Sequence, residues 1–319
     1  MKKAISLITL ILISWFIANN PLSNTYVASL KEETMLVGAN KDPLYEEIQQ
    51  KAKKYNIAPE DAKIDPVWKA IPGINGLQVD VDASYKKMKT SGTFKEKNLV
   101  YKQLKPSVHL QDLPPSPIYK GNPNKQMVSF IINVAWGNEY LPDILAVLKK
   151  HHVKASFFLE GRWTKKNPEL AKMIVDAGHE VGNHSYSHPD MSKISSTQIN
   201  QELKKTNDVI EATTGKTVTW FAPPSGSYTN EVVKIASQHK MGTLMWSIDT
   251  IDWRKPSTQE LINRVVGKVH NGAMILMHPT QSTTSSLEQL IEQIQAKGYE
   301  INTVTELLSE ERNGKVLNN

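Results

Sequence analysis

Four short clusters of polar side chains follow apolar runs, where a strand could deliver them to a common site. They are Asn133-Val134-Ala135-Trp136-Gly137, His184-Ser185-Tyr186-Ser187-His188, Asp249-Thr250-Ile251-Asp252-Trp253 and Leu276-Met277-His278. A rigid turn, Pro223-Pro224-Ser225-Gly226, ends another run. His184 and His188 are four residues apart. On a helical turn this spacing sets both imidazoles on one face, within reach of one ion. Such nitrogen ligands favour zinc among the common divalent metals. His278 and Asp249 form a second pair. A carboxylate at a neighbouring strand end would hold the imidazole tautomer and favour its charged form, making a general acid near neutral pH. Each signal alone has a plainer reading, a surface pair of histidines or a buried one satisfied by an acid. Their common placement after apolar runs is what favours a site. His109, His151, His152, His179, His239 and His270 fall in helix or loop context and read as solvent-facing or structural.

The elements that must position these clusters show as alternating patterns beyond residue 126. Strand-like runs are 128–134, 155–159, 180–183, 218–222, 243–246, 273–277 and 300–304. Helical periodicity appears near 140–151, 167–177, 197–213, 228–239, 258–268 and 285–297. Gly178, Gly215 and Gly298 stand just past helix ends, and Ser257-Thr258-Gln259-Glu260 is a capping box. Strands alternating with helices imply parallel pairing with helical crossovers. An open doubly wound sheet and a closed or nearly closed barrel both satisfy the pattern, and both gather chemistry at the C-terminal strand ends.

Before residue 126 the chain reads differently. Lys2 and Lys3 precede Ala4–Ala18, an uncharged run, and Val27-Ala28-Ser29 offers small residues for cleavage. Residues 1–29 therefore read as a signal peptide or an N-terminal anchor, and the protein as secreted or extracytoplasmic, touching a membrane through residues 4–18 if uncleaved. In residues 30–105, Leu44, Ile48, Ala52 and Tyr55 share a helical face, and Leu77, Val79 and Val81 alternate as in a half-buried strand. This is a small α+β accessory module without a catalytic constellation. Residues 106–125 carry Pro106, Pro114, Pro115, Pro117 and Pro123 and read as an extended linker to a main domain spanning 126–310.

Composition narrows the function classes. The 319 residues include 38 Lys+Arg, 32 Asp+Glu, 9 His and no Cys, with 39% hydrophobic residues. That excludes a disulfide scaffold, thiolate metal sites and a cysteine nucleophile, and it fills a core. The net charge of +6, or +4 without residues 1–29, suits an anionic wall polymer. It is too small and too scattered for nucleic acid.

Taken in order, the motifs resemble the NodB-like polysaccharide deacetylases, carbohydrate esterase family four, and within it the sporulation-associated branch. The likeness runs from about Met127 to Leu308. It rests on Lys154-Ala155-Ser156-Phe157-Phe158-Leu159, Gly182-Asn183-His184-Ser185-Tyr186-Ser187-His188-Pro189, Asp249-Thr250-Ile251-Asp252-Trp253 and Leu276-Met277-His278. The resemblance implies an α/β fold, a distorted (β/α) barrel with the small N-terminal α+β module. It also implies metal-dependent removal of N-acetyl groups from peptidoglycan or a related amino-sugar polymer. In such enzymes a metal held by an Asp and two His activates water, a neighbouring Asp is the base, and a His protonates the leaving amine. Carried over, His184 and His188 hold the metal, His278 is the acid and Asp249 its orienting partner. Trp253, Asp252 and Pro224 line the substrate pocket. Two departures stand out. Asn133 replaces the base and Val134 the metal-binding Asp, while Ala222 replaces the Arg that would hold the base. An amide accepts no proton near neutral pH, and two His without a carboxylate hold zinc weakly. The implied function is an impaired deacetylase. The alternative is a non-catalytic glycan-binding protein on the same fold.

Overall fold

The computed structural model describes residues 42–312, together with scattered positions between 15 and 29. The expected signal segment lies largely outside the described residues. Among the described residues no helix is long and apolar enough to cross a membrane.

The chain begins with helix α1 (Pro43–Tyr55), the antiparallel strands β1 (Lys63–Asp65) and β2 (Lys69–Ile71), strand β3 (Gly76–Val79), helix α2 (Val81–Met88) and strand β4 (Tyr101–Leu104). Of the described residues, 42–58 and 77–103 form one compact unit, and 59–76 with 104–312 form another. The smaller unit is α+β, as its periodicities predict. Asp42 caps α1 by accepting from Leu44 N, and Leu44, Ile48 and Ala52 are buried on one stripe. They cluster with Val79, Tyr85, Met88 and Leu99. The strand stops at Val79, before Val81, because Asp80 turns outward to cap α2 through Ala83 N.

The boundary expected at residue 105 is drawn differently. Residues 59–76 belong to the larger unit, and the Pro-rich stretch is an integral strap, not a free connector. Ala62 N donates to Val108 O, Ile118 N to Thr243 O, Met245 N to Ile118 O, and Gly121 N to Gly272 O. Ile118, Asn122 and Lys125 are buried. Proline stops a segment from joining a sheet interior but leaves its carbonyls free to accept, so such a strap can still be tied down.

The larger unit continues with β5 (Met127–Val134), α3 (Leu141–Lys150), β6 (Ser156–Leu159), α4 (Gly161–Lys166), α5 (Pro168–Asp176), β7 (Glu180–Asn183), α6 (Ser196–Thr214), β8 (Trp220–Phe221) and α7 (Asn230–Gln238). Then come β9 (Gly242–Thr243), β10 (Ile248–Asp249), α8 (Thr258–Val266), β11 (Met274–Met277), α9 (Gln281–Ala296), β12 (Glu300–Ile301) and α10 (Val304–Leu308). The strands are all parallel, in the order β10-β11-β5-β6-β7-β8-β9, with β12 beside β5. This is the distorted, incomplete (β/α) barrel. The path has two ends, at β9 and β10, and the strap crosses from Thr243 of β9 to Gly272 before β11. Boundary chemistry agrees with the sequence. Ser195–Gln198 and Ser257–Glu260 are reciprocal capping boxes, and Gly215 ends α6 at φ 69°.

Strand β5 is buried at all eight positions, because both its faces are covered. Val128, Phe130, Ile132 and Val134 join Leu141, Ile144 and Leu148 of α3 and Leu290, Ile291 and Ile294 of α9 in the helix-side core. Met127 and Ile131 instead join Phe158, Ala222, Leu244, Met274 and Leu276 inside the curl. This alternation decides which strand-end residues face inward.

Candidate active site

The inner row of each strand, extended one step, reaches Asn133 after Ile131, His184 after Gly182, and His278 after Leu276. Ala222 lies in the inner cluster itself, and Asp249 has inward parity because Ile248 lies in the helix-side core. Four residues of the sequence clusters, with Ala222, therefore meet at one mouth of the barrel.

His278 is the best-defined part. Its Nδ1 stands 2.8 Å from Asp252 Oδ1, and its backbone N donates to Asp252 Oδ2 at 2.5 Å. Thr283 Oγ1 donates to the same Oδ2 at 2.6 Å. Asp252 is fully buried. A carboxylate oxygen only accepts, so Nδ1 carries the proton and Nε2 is the atom turned to the site. This corrects the expected pairing. Asp249 does not orient His278. Its Oδ1 accepts Ile251 N at 2.8 Å, an Asx turn that leads into Ile251 at φ 55° and a single turn over Asp252–Arg254. That turn swings Asp252 under the ring, so Asp252 is a support and not a pocket wall. Trp253, next to it, is 51% exposed, with the Arg254 guanidinium over its ring at 4.7 Å. Pro224 is buried in the turn that follows β8.

His184 and His188 come together, but not on a helical turn. They occupy a loop in which Ser185 and His188 adopt φ 61° and 56°. Left-handed non-glycine residues of this kind cost on the order of 1 kcal/mol each and need fixed partners. Glu202 of α6 supplies them by accepting Tyr186 N, Ser187 N and Ser187 Oγ, each at 2.8 Å. The two rings meet edge to face with centroids 5.1 Å apart. His184 Nδ1 donates to Ala222 O at 2.8 Å, leaving Nε2 with its lone pair. Burial, helped by His188, pulls the His184 pKa down to about 3, and burial also lowers that of His188. Both rings are neutral near pH 7, as metal ligation requires.

Asn133 is 5% exposed, and its Oδ1 is buried without a hydrogen-bond partner. Two neutral imidazoles and an unengaged amide oxygen are a donor set that fits one divalent cation. A neutral amide in place of a carboxylate makes that hold weaker. Val134, by contrast, has no place at the mouth. It faces the helix layer, fully buried in the core shared with Leu141 and Ile144. Among the described residues one three-membered group of metal-ligating side chains occurs elsewhere, His151 with Glu288 and Glu292, and Lys150 already pairs with Glu288 there.

Three contributors were not legible. Thr283 and Glu202 act from helices whose pattern marks them as ordinary positions. Trp136 was visible as a motif residue, but its ring lies parallel to His278, centroids 5.9 Å apart and 8° between planes, which no spacing announces.

Comparison with known proteins gives a consistent picture. The polysaccharide deacetylase family model matches residues 120–244. The uncharacterised protein YlxY of Bacillus subtilis is 57% identical over 303 residues, 95% of each chain. A peptidoglycan-N-acetylglucosamine deacetylase of Bacillus cereus is 31% identical over 202 residues, 62% of this chain and 74% of that one. Among solved structures, a CE4 family pseudoenzyme from Bacillus anthracis is 59% identical with a TM-score of 0.82, covering 86% of this chain and 97% of that one. A mutant of the same protein, with restored enzymatic activity, is 58% identical at the same TM-score, covering 85% of this chain and 99% of that one.

Proposed function

The chain belongs to the polysaccharide deacetylase family, and from that premise we propose that it is an exported protein acting on the amino-sugar polymer of the cell wall, with an N-deacetylase site impaired by the loss of its base. The observation that carries this reading is one mouth with an intact acid and an uncharged Asn133 in the inner row of β5. His278 Nε2 is placed to give a proton to the leaving amine, while Asp252 and Thr283 fix the ring. His184 and His188 would hold a divalent metal, which supplies Lewis-acid polarisation of the acetamide carbonyl. Asn133 can accept a hydrogen bond from water but not its proton, and losing a general base costs on the order of 10²–10⁴ in rate. The Bacillus cereus relative supports the polymer class, and the Bacillus anthracis pseudoenzyme supports the impairment. The uncharged run at Ala4–Ala18 after Lys2 and Lys3 supports export.

The test is acetate release from N-acetylated amino-sugar oligomers by the purified protein, with and without added zinc, beside a competent family member. The expected rate is at least about 10²-fold below that reference. An equal rate overturns the impairment. Asn133 also favours a second reading, a scaffold that holds glycan without hydrolysing it. Oligomer binding with no acetate release under any metal, even after the base is restored, selects that reading.

A further inference from the structure

Four large apolar side chains stand exposed among residues 104–312: Leu104, Trp136, Met173 and Trp253. Two of the four are indoles beside the Asp252–His278 pair. Trp136 is the more constrained. Its ring lies parallel to the His278 imidazole and offset from it, and the side chain is 48% exposed. Its placement is built in by the next residue. Gly137 has φ 80°, and a Cβ there would lie 2.1 Å from Pro279 O, so the chain passes against the residue that follows His278. Only glycine allows that approach, and with it the indole stands parallel to the imidazole.

We propose that the outer face of Trp136 is a stacking platform for the sugar ring adjoining the one held at His278, so that the mouth recognises an amino-sugar chain and not a single sugar. The inference rests on the glycan reading above. A pyranose with equatorial substituents presents a face of C–H groups, which an indole removes from water while the hydroxyl rim stays solvated. The indole stands parallel to the imidazole and offset from it, so a sugar stacked on the exposed indole lies beside the sugar presented to Nε2. That ring is a neighbour of the reacting sugar.

The experiment measures binding of N-acetylglucosamine and of its β-1,4-linked tetramer to the full chain, to Trp136→Ala, to Trp136→Phe and to Met173→Ala. The parent binds the tetramer more tightly than the monomer. Trp136→Ala loses about tenfold for the tetramer and little for the monomer, while Trp136→Phe stays within about threefold of the parent because it keeps a flat apolar face. Met173→Ala, exposed on α5, changes neither. Should Trp136→Ala fail to fold, Trp136→Leu replaces it, keeping bulk without a flat face, and is expected to lose the same tetramer preference. Equal tetramer affinity for the parent and the non-aromatic variant overturns the platform and leaves the glycan reading standing. A parent that binds neither sugar removes the glycan reading, and the platform falls with it.

Discussion

The two sides of the barrel mouth have been kept to different standards. On the β11 side both carboxylate oxygens of the buried Asp252 have partners: Asp252 accepts from His278 twice and from Thr283 once. On the β5 side Asn133 Oδ1 has none, and Ala222, where the family carries an Arg, is packed among Phe158, Leu244 and Leu276. On the impaired reading proposed above, the difference teaches how such a site is lost. A buried carboxylate and its cation depend on each other, since either alone is an unpaired buried charge. They leave together, and the hydrogen-bonded acid pair, which does not depend on them, stays.

Restoring both charges is the severest test of that comparison. Ala222→Arg alone places a cation in the inner cluster and is expected to cost about 3 kcal/mol of stability. Asn133→Asp alone leaves its carboxylate without a cation. Together they should recover stability beyond the sum of the singles and raise kcat/KM on N-acetylated oligomers by about 10²–10⁴ over the parent. Adding Val134→Asp should undo the gain, because that side chain faces the helix layer. A fast parent that the double substitution slows would mean that Asn133 serves a working site of another design.

Asp252 and Asp249 separate the intact side from its neighbour. Asp252→Ala strands three donors in a buried site and should cost about 3 kcal/mol in chemical denaturation. Asp249→Ala should cost about 1 kcal/mol or less, the loss of one turn hydrogen bond. Equal costs would return Asp249 to the role that strand position alone assigned it.

The metal side lies between the two. With zinc at about 100 times its dissociation constant, the parent should gain about 2.7 kcal/mol, read as a rise in Tm. His184→Ala with His188→Ala should abolish most of that rise. His151→Ala is the control, since its cluster with Glu288 and Glu292 could take zinc independently.

What was readable in advance follows element size. Strand β5 declares itself through eight consecutive apolar-dominated positions, and the long helices through period and caps. Strands β8, β9, β10 and β12 have two residues each, too few for any period. The strap misreads as a linker because proline reports the lack of a ladder, not the lack of contact. Ile118 is buried by carbonyls and amides near Thr243, far along the chain. The site residues were legible as types at strand ends, but the choice between Asp249 and Asp252 depends on one left-handed residue, Ile251, which spacing does not encode. The His184–His188 loop likewise depends on Glu202, a helix residue that looks solvated in sequence.

A further expected effect concerns a histidine outside the mouth and shows what a purely structural one does. His179 is 6% exposed, accepts Ala155 N at Nδ1 and rests against Phe157. Burial, with Lys154 nearby, pulls its pKa from 6.5 down to about 4. The unfolded chain therefore binds the proton first as pH falls. His179 supports folding fully above pH 6.5, and that support is lost as the pH falls toward 4. Between pH 6.5 and 5 the loss should be about 1–2 kcal/mol, read from denaturation midpoints across that range. His179→Asn keeps an acceptor near the Nδ1 position but removes the titration, so it should flatten the slope by close to one proton. An unchanged slope would place the acid sensitivity elsewhere. The natural suspects would then be the histidines of the mouth, and a difference between metal-loaded and metal-free samples would identify them, because bound zinc holds His184 and His188 deprotonated.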